Sequence, residues 1–336
     1  MTFVFHRFGR PAAGAAAALL LAVAAVALGL GSPAKAATSP CSDAVASAPT
    51  GPATVSSASS SFGKVLVVGP GAYAGCSLYM LTSDQLHSLT GADYACSDNS
   101  NALNLACDTI LWPALLTDGA PIAGPGVNPT LLGTVTRTDV LTGQSVQQVT
   151  YAGQPLYRFV FDDEPGDTQG ADLFDPVTSP TGTWYLVDPS RGRVAPGQAQ
   201  LQLETAPVGD TGSNATVLAA TMNPTFTDLF PDASFPVYTS SADSGNRSAC
   251  QAVCAAVYWP PVLTDGRPLA GPGVNQNAVG IMVRPDGTHQ VTYNSRPLYL
   301  FSGDAYIAGL PYGGARIDGA GAATPWGTFD TIPPVS

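Results

Sequence analysis

The chain repeats itself, and this duplication constrains its fold more than any other feature. The segments WPALLTDGAPIAGPGVN (Trp112–Asn128) and WPPVLTDGRPLAGPGVN (Trp259–Asn275) are identical at 13 of 17 positions. Further on, VTYAGQPLYRF (Val149–Phe159) returns as VTYNSRPLYLF (Val291–Phe301). Similarity at a fixed period indicates tandem copies of one structural unit. Two homologous domains in series are therefore predicted.

Each copy contains a smaller repeat, a Tyr-x4-Asp motif followed by one tryptophan. The motif residues are Tyr79 and Asp84, Tyr157 and Asp162, Tyr238 and Asp243, and Tyr299 and Asp304. The tryptophans that follow them are Trp112, Trp184, Trp259 and Trp326, which are all four in the chain. A single Tyr-x4-Asp is common by chance, but four in register with every tryptophan are not. We therefore predict four units, two in each domain.

Local patterns indicate an all-β fold with at most short helices. The chain has 36 glycines and 30 prolines but only 11% charged residues, which excludes a long-helix protein. The segment Gln290–Phe301 alternates β-branched and aromatic residues around Asn294-Ser295, a hairpin signature. Hairpins and meanders are thus expected in a first repeat domain at 59–195 and a second at 215–336. A linker rich in Gly, Gln, Ala and Pro at 196–214 would join them.

Residues 1–36 have the features of a secretory signal peptide. Arg7 and Arg10 precede an apolar run, and Ala34-Lys35-Ala36 gives the small-x-small pattern that signal peptidase requires, with cleavage after Ala36. A transmembrane anchor is the alternative, but the run is mostly alanine and ends in Gly-Ser-Pro. We expect a flexible mature N-terminus at 37–58 and no membrane span after cleavage.

The net charge of the mature chain limits the classes of partner that it can bind. Cleavage would remove three basic residues and no acid, so the formal net charge of −11 would become −14. Such a chain is repelled by nucleic acid and by anionic membrane surfaces. The sequence therefore predicts a soluble, secreted, extracellular protein that binds no nucleic acid.

The motif segments resemble a known family. They are LYMLTSD (Leu78–Asp84), LYRFVFD (Leu156–Asp162), VYTSSAD (Val237–Asp243) and LYLFSGD (Leu298–Asp304). The chain from about Ser59 onward is similar to the secreted-repeat bacterial lipoproteins defined by a Tyr-x-aromatic-x-x-Asp motif. Two units keep the aromatic residue, as Phe159 and Phe301, whereas the other two have Leu81 and Ser240. The resemblance implies an extracytoplasmic compartment and a repeat, but no reaction, because the family has no assigned molecular function.

The resemblance also implies how the six cysteines pair, because the cysteines of an exported protein form disulfides in an oxidising compartment. The family-like Cys-x3-Cys implies a Cys250–Cys254 disulfide. Cys107 and Cys254 each lie five residues before a tryptophan, so the duplication makes Cys96–Cys107 the equivalent pair, and Cys41–Cys76 remains. The absence of any Cys-x-x-Cys pair argues against zinc. Cys41 lacks the preceding residues of a lipidation site, so we expect a free secreted protein, lipoprotein-like in its repeats alone.

The Tyr-x4-Asp motifs have two interpretations. In the first, phenol and carboxylate are exposed and bind a ligand; the candidate residues are Tyr79, Asp84, Tyr157, Asp162, Tyr238, Asp243, Tyr299 and Asp304. In the second, the tyrosine packs in the core and the aspartate caps the turn that ends the strand. Fourfold repetition favours the structural interpretation, because a catalytic site is rarely built four times in one chain.

Carboxylates cluster between Asp162 and Asp175, where calcium is the one cofactor considered. Calcium prefers several hard oxygen ligands from a flexible loop, and the candidate ligands are Asp162, Asp163, Glu164, Asp167 and Asp172. The segment lacks the residue order of an EF-hand. A solvated acidic loop is therefore the favoured interpretation.

No catalytic constellation stands out in the sequence. There is no Gly-x-Ser-x-Gly elbow, and the two histidines after residue 36, His87 and His289, lie in different halves. We predict a non-catalytic repeat protein that binds a cell-surface component or another protein. The alternative is an extracytoplasmic hydrolase or a redox or metal-binding protein that uses carboxylates and tyrosines. The glycine-rich loops Leu116–Asn128 and Leu263–Asn275 either bind a ligand or are alike because their backbone geometry is demanding.

Overall fold

A computed structural model describes residues 41–42, 49–90, 94–96, 107, 111–139, 143–175, 182–208, 213–221, 234–304 and 319–333. The predicted signal peptide at 1–36 lies outside the described residues. So do residues 37–40 and 43–48 of the predicted flexible N-terminus. We refer to residues 41–195 as the first half and to residues 196–333 as the second half.

The all-β prediction is confirmed, since short strands form six sheets in the described part of the chain. The first half contains β1 (Thr54–Ser60), β2 (Gly63–Val68), β3 (Tyr79–Leu81), β4 (Leu116–Thr117), β5 (Ile122–Ala123), β6 (Leu132–Thr138), β7 (Ser145–Tyr151), β8 (Gln154–Pro155), β9 (Leu173–Asp175), β10 (Gly182–Val187) and β11 (Val194–Ala195). The second half contains β12 (Gln200–Val208), β13 (Ser213–Thr221), β14 (Ser234–Pro236), β15 (Tyr238–Ser240), β16 (Leu269–Ala270), β17 (Val279–Val283), β18 (His289–Tyr293), β19 (Arg296–Pro297), β20 (Ala322–Thr324) and β21 (Gly327–Thr331).

Helical segments are short, as expected. They are a 3-10 turn at Thr82–Asp84, an α-helix at Gln85–Thr90, a second 3-10 turn at Pro129–Leu131 and a π-helical turn at Cys254–Tyr258. Within the described segments, none of these is both long and apolar enough to cross a membrane.

Each half begins with a β-hairpin. Strand β1 pairs with β2, and β12 pairs with β13. Residues 54–58, which fall in the expected flexible N-terminus, and residues 200–208, which fall in the expected linker, are thus paired strands. The domain boundaries themselves stay a prediction. In β1 (TVSSASS) Val55 is the one fully buried side chain, so no alternating apolar pattern signals the strand. Pairing to the apolar strand β2 makes it extended.

The glycine-rich loop of each half adds a third strand to this hairpin. Strand β5 pairs in parallel with β1, and β16 pairs in parallel with β12. A Cβ atom on Gly124 would lie 2.4 Å from Ser56 Oγ and 3.0 Å from the Val55 carbonyl oxygen, and one on Gly271 would lie 3.0 Å from the Leu201 carbonyl oxygen. Close backbone approach thus accounts for the similarity of the two loops, which supports the geometric interpretation.

Three disulfides close the loops around this framework. They join Cys41 to Cys76, Cys96 to Cys107, and Cys250 to Cys254, the pairs that the sequence analysis predicted. Among the described residues there is no free cysteine. The first bridge holds residue 41 against the buried core of the first half, where both sulfurs are inaccessible to solvent.

The two halves also pack on each other. Phe174 of β9 meets Phe235 of β14 edge to face, with ring centroids 4.9 Å apart. Asp172 Oδ2 accepts a 2.7 Å hydrogen bond from the Gly197 amide, and Arg193 Nη1 donates to the Gly287 carbonyl. The junction therefore combines an apolar ring contact with polar contacts.

Candidate functional site

The motif tyrosines of the first half bring the two motifs together. The Tyr79 amide donates to the Tyr157 carbonyl at 2.9 Å, and the Tyr157 amide donates back to the Tyr79 carbonyl at 3.1 Å. This antiparallel exchange places the end of one motif beside the start of the other. The Tyr79 hydroxyl then donates to Asp162 Oδ2 at 2.8 Å, and the Tyr157 hydroxyl donates to Asp84 Oδ2 at 2.9 Å. Each tyrosine therefore bonds the aspartate of the other motif.

The second half repeats this exchange. Tyr238 and Tyr299 exchange backbone hydrogen bonds of 2.9 Å in both directions. The Tyr238 hydroxyl donates to the Asp304 carboxylate at 2.8 Å and 2.9 Å, and the Tyr299 hydroxyl donates to Asp243 Oδ1 at 3.1 Å. The four motifs thus form two reciprocal pairs, which we call the first and second tyrosine–aspartate networks.

The carboxylates of these networks also cap the loops that follow the motifs. Asp84 Oδ1 accepts from the amides of Ala95 and Cys96 at 2.6 Å and 3.1 Å, and Asp162 Oδ1 accepts from the Gln169 amide at 2.8 Å. In the second half, Asp243 Oδ1 likewise accepts from a loop amide. Capping of backbone amides by the motif aspartates is what the structural interpretation predicted.

The networks are buried. All four motif tyrosines and three of the aspartates are inaccessible to solvent, and Asp243 is partly accessible. The phenol and carboxylate groups are therefore occupied by one another. Ligand binding by these eight side chains stays a prediction.

Burial also changes the acidity of the first network. It raises the pKa of Asp162 to about 8, partly opposed by the hydrogen bond from Tyr79. It raises the pKa of Asp84 to about 6, where the Cys96 amide and the Tyr157 hydroxyl hold it lower. Burial and the neighbouring Asp162 raise the pKa of Tyr79 well above its usual range. Burial therefore moves the pKa of Asp162 upward into the neutral range, against the hydrogen bonds that favour its charged form.

A stack of aromatic rings fills the core beside the first network. Trp112 lies flat against Trp184, with ring centroids 3.7 Å apart, and against Phe159 at 4.2 Å. Tyr79 and Tyr157 meet the two indoles edge to face at 5.4 Å and 5.3 Å. The motif tyrosines are thus held by rings on one side and by carboxylates at their hydroxyl ends.

The second half builds the same stack with a different ring, which corrects the predicted fourth unit. Trp259 stacks on Phe329 at 3.8 Å. Phe329 pairs with Ser240 as Trp184 pairs with Leu81, so Phe329 and not Trp326 is the equivalent of Trp184. Trp326 instead lies 5.9 Å from the Tyr258 ring, outside the stack. The tryptophan of the last unit therefore lies outside the stack, and a phenylalanine takes its position.

Sequence reasoning missed a repeated arginine–glutamine pair next to the networks. Arg137 Nη1 donates to Gln148 Oε1 at 2.6 Å and to the Tyr157 hydroxyl at 3.3 Å. Arg284 Nη1 donates in the same way to Gln290 Oε1 at 2.6 Å. An Arg-x-Asp triplet ahead of Gln-Val-Thr-Tyr occurs in both halves and was the signal that could have identified this pair.

The carboxylates considered for calcium do not converge. They are Asp162, Asp163, Glu164, Asp167 and Asp172. Asp162 belongs to the first network, Asp167 Oδ2 accepts from two amides of its own loop at 2.9 Å and 3.0 Å, and Asp172 bonds the Gly197 amide. In the described segments, no group of three or more His, Cys, Asp or Glu side chains is placed to hold a metal ion. Calcium binding stays a prediction.

A pocket of about 230 Å³ lies between the two halves, and we call it the interhalf pocket. The first half contributes Phe62, Lys64, Asp188 and Arg193 to its lining, and the second half contributes Asp265 and His289. Lys64 is the only lysine after residue 36. Arg193 Nε lies 3.8 Å from Asp188 Oδ2. Two cationic side chains, an imidazole and two carboxylates thus line one pocket.

A larger depression of about 410 Å³ lies in the first half, beside residues 49–54. Its cation is Arg158, which is fully buried. Arg158 Nη1 donates to the Cys41 carbonyl at 3.0 Å, and its guanidinium lies 3.6 Å from the centroid of the Tyr73 ring. Because the Arg158 guanidinium already has these two partners within the protein, the interhalf pocket is the better candidate for ligand binding.

Comparison with known proteins agrees with this organisation. Residues 140–175 and 280–307 match the family model described as a secreted repeat of unknown function. The two matches contain the second Tyr-x4-Asp motif of each half, so both halves are similar to this family. No curated protein and no solved structure matches the chain. The family is described as secreted, and three disulfides fit an extracellular protein.

Proposed function

We propose that this secreted repeat protein is a non-catalytic binding protein whose ligand occupies the interhalf pocket. The ligand would be a small carboxylated molecule of the size of a sugar ring, such as a uronic acid of the cell surface. The observation that carries the proposal is that Lys64, which has no salt-bridge partner among the described residues, lines this pocket beside Arg193 and His289, while Asp188 and Asp265 supply the carboxylates of the same lining. The polar groups of the four repeated motifs, in contrast, are bonded to one another.

The charges in the pocket suit a carboxylate. Lys64 and His289 form no salt bridge among the described residues, whereas Arg193 is beside Asp188. A ligand carboxylate would give Lys64 a partner of opposite charge. An extended polyanion would be repelled by a chain of net charge −11, but a single carboxylate is repelled far less.

The size and position of the pocket also suit a small ligand. Its volume of about 230 Å³ is below the roughly 300–1,000 Å³ of pockets for drug-sized molecules. The Phe62 ring offers an apolar surface for one face of a sugar, and the charged groups would orient the carboxylate. Because both halves supply lining residues, the site needs the duplication, and pockets at such junctions commonly bind ligands.

Isothermal titration calorimetry on the full chain tests this proposal. Glucuronate and glucose share one ring and differ by the carboxylate, so glucuronate should bind and glucose should not. The substitution Lys64→Glu should weaken glucuronate binding by about tenfold, which corresponds to roughly 1.4 kcal/mol. Arg247→Glu makes the same charge change at an exposed residue outside the pocket and should leave binding unchanged. Equal binding of both sugars, or of neither at millimolar concentration, would contradict the proposal.

A further inference from the structure

Two aromatic rings lie next to each other on the surface of the second half, and we call them the surface aromatic pair. They belong to Tyr258 and Trp326, whose ring centroids lie 5.9 Å apart in planes inclined by 29°. Tyr258 is 38% exposed, and Trp326 is partly exposed. The remaining tryptophans, which are Trp112, Trp184 and Trp259, are fully buried. Trp326 is therefore the one indole that a ligand in solution can reach.

A tight turn fixes the backbone of Trp326. The residue lies in the two-residue connection between β20 and β21, and Pro325 and Gly327 on either side of it are typical of such turns. Thr324 Oγ1 accepts from the Trp326 amide at 3.1 Å, and Ser240 Oγ donates to the Trp326 carbonyl at 2.6 Å. Most residue types are compatible with this position of a turn, so backbone geometry does not explain why a tryptophan stands there.

The backbone of Tyr258 is fixed as well. Tyr258 ends the π-helical turn Cys254–Tyr258, which the Cys250–Cys254 disulfide anchors. Its carbonyl accepts hydrogen bonds from the Ser302 amide and the Ser302 hydroxyl, both at 3.1 Å. Because ordered backbone carries both rings, a ligand that binds them orders little of the protein and loses little affinity to conformational entropy.

The duplication shows that the fold does not require these two rings. In the first half a buried leucine, Leu111, takes the place of Tyr258 directly before the stacked tryptophan. The segment WGTF, which begins at Trp326, corresponds to the segment TGTW, which begins at Thr181. A threonine thus stands where the second half has Trp326. The surface aromatic pair is therefore a property of the second half alone.

The exposed area of the pair favours a small ligand over a protein. A fully covered aromatic side chain buries about 150–250 Å², so two of them stay well below the roughly 1,200 Å² of a standard protein interface. A pyranose fits better, because its axial C–H groups form an apolar face of the size of one aromatic ring. Its hydroxyl groups stay in water or bond the Tyr258 hydroxyl and the Trp326 indole N–H. Neither of these two groups has a hydrogen-bond partner among the described residues.

We propose that the surface aromatic pair binds a linear, uncharged oligosaccharide of hexopyranose units, with sugar rings packed on the two aromatic rings. The side chains that hydrogen-bond the backbone of the pair, those of Ser240, Thr324 and Ser302, are uncharged. The net charge of −11 also disfavours an anionic polymer. A single sugar unit covers only one ring, so measurable affinity needs a chain of units. This site is independent of the interhalf pocket.

Acrylamide quenching of tryptophan fluorescence in the full chain tests the proposal, because Trp326 is the accessible indole. Cellohexaose and the hexamer of N-acetylglucosamine are the probes, and at least one of them should protect Trp326 at millimolar concentration. The probe that protects identifies a glucan or an amino-sugar polymer as the source of the ligand. Sorbitol has hydroxyl groups but no ring, and choline would bind through a cation–π contact. Neither should protect Trp326.

Variants show whether both rings take part. Tyr258→Leu introduces the residue of the first half, leaves Trp326 as the reporter and should weaken oligosaccharide binding about tenfold. Tyr258→Phe keeps the ring and should retain most of the affinity, and Leu269→Thr, at a 47% exposed residue on β16, should have no effect. No protection by either hexamer, protection by choline instead, or an affinity that Tyr258→Leu leaves unchanged overturns the proposal. Lys64→Glu should leave oligosaccharide binding intact, which separates this site from the interhalf pocket.

Discussion

Replacing Tyr79 by phenylalanine removes one hydroxyl group from the first tyrosine–aspartate network and leaves the ring in place. That hydroxyl is fully buried and donates to Asp162 at 2.8 Å. A buried carboxyl oxygen that loses its donor costs about 1–3 kcal/mol. We expect the free energy of unfolding of Tyr79→Phe to fall by this amount.

A pair of double-mutant cycles tests whether the coupling is reciprocal. Tyr79→Phe combined with Asp162→Asn should show a coupling energy of about 1–2 kcal/mol, because the two side chains share one hydrogen bond. Tyr79→Phe combined with Asp84→Asn should be close to additive. Asp84 belongs to the same motif as Tyr79 but accepts its phenolic hydrogen bond from Tyr157. Urea unfolding followed by tryptophan fluorescence at pH 7, with disulfides intact, measures the three single and two double variants against the unmodified protein.

The outcome that would refute this reasoning is a larger coupling within a motif than between motifs. It would mean that Tyr-x4-Asp acts as a local pair and that the exchange between units is not the stabilising contact. The second half offers an independent repetition. There Tyr238 should couple to Asp304, to which it donates, and not to Asp243 of its own motif.

Three further predictions concern stability. Burial raises the pKa of Asp172 to about 7, above the value in the unfolded chain. The stability that the protonated carboxyl group contributes is therefore fully present below about pH 4 and is lost as the pH rises through 7. In this window the titration of Asp172 should therefore lower the free energy of unfolding, measured by urea denaturation, by up to about 1.4 kcal/mol per pH unit. Asp172→Asn should make this fall shallower by that amount, and Asp84 and Asp162, whose pKa values burial also raises, account for the rest. Gly124→Ala forces a Cβ against the backbone of β1 and should lower the free energy of unfolding, measured by thermal denaturation, by about 1–3 kcal/mol. The control Gly51→Ala has open space around its Cβ and should be nearly neutral. Replacing both cysteines of Cys41–Cys76 by serine should lower the free energy of unfolding by about 2 kcal/mol more than the same change at Cys250–Cys254. The reason is that the two bridges span 35 and 4 residues, and a longer bridge restricts the unfolded chain more. Equal denaturation midpoints of the two double-serine variants would contradict this.

Much of the architecture could be predicted because it is encoded by spacing along the chain. The β-branched and aromatic residues that alternate around Asn294-Ser295 predicted a hairpin, and β18 and β19 form it. The equal distance of Cys107 and Cys254 from their tryptophans placed the disulfides, because the duplicated backbone returns each cysteine to the same position. Signals of this kind depend on near neighbours or on exact repetition.

Other features were missed because their signal is weak or misleading. Strand β1 is a serine-rich segment with a single fully buried residue, so only its pairing with β2 makes it a strand. Trp326 has the chemistry expected of the fourth unit, yet the register of β21 places Phe329 in the stack. Residue type suggested one ring, and strand register selected another.

The sequence by itself determined that the motif occurs four times, and it favoured a tyrosine in the core and an aspartate that caps a loop over an exposed binding site. Only the tertiary structure decided which tyrosine meets which aspartate. The partners Tyr79 and Asp162 are 83 residues apart, and Tyr238 and Asp304 are 66 apart, whereas the spacing within a motif is five. Antiparallel pairing at the tyrosines turns each motif end toward the start of the other. A buried hydroxyl bonds the nearest carboxylate in space, and strand register, not distance along the chain, decides which carboxylate that is.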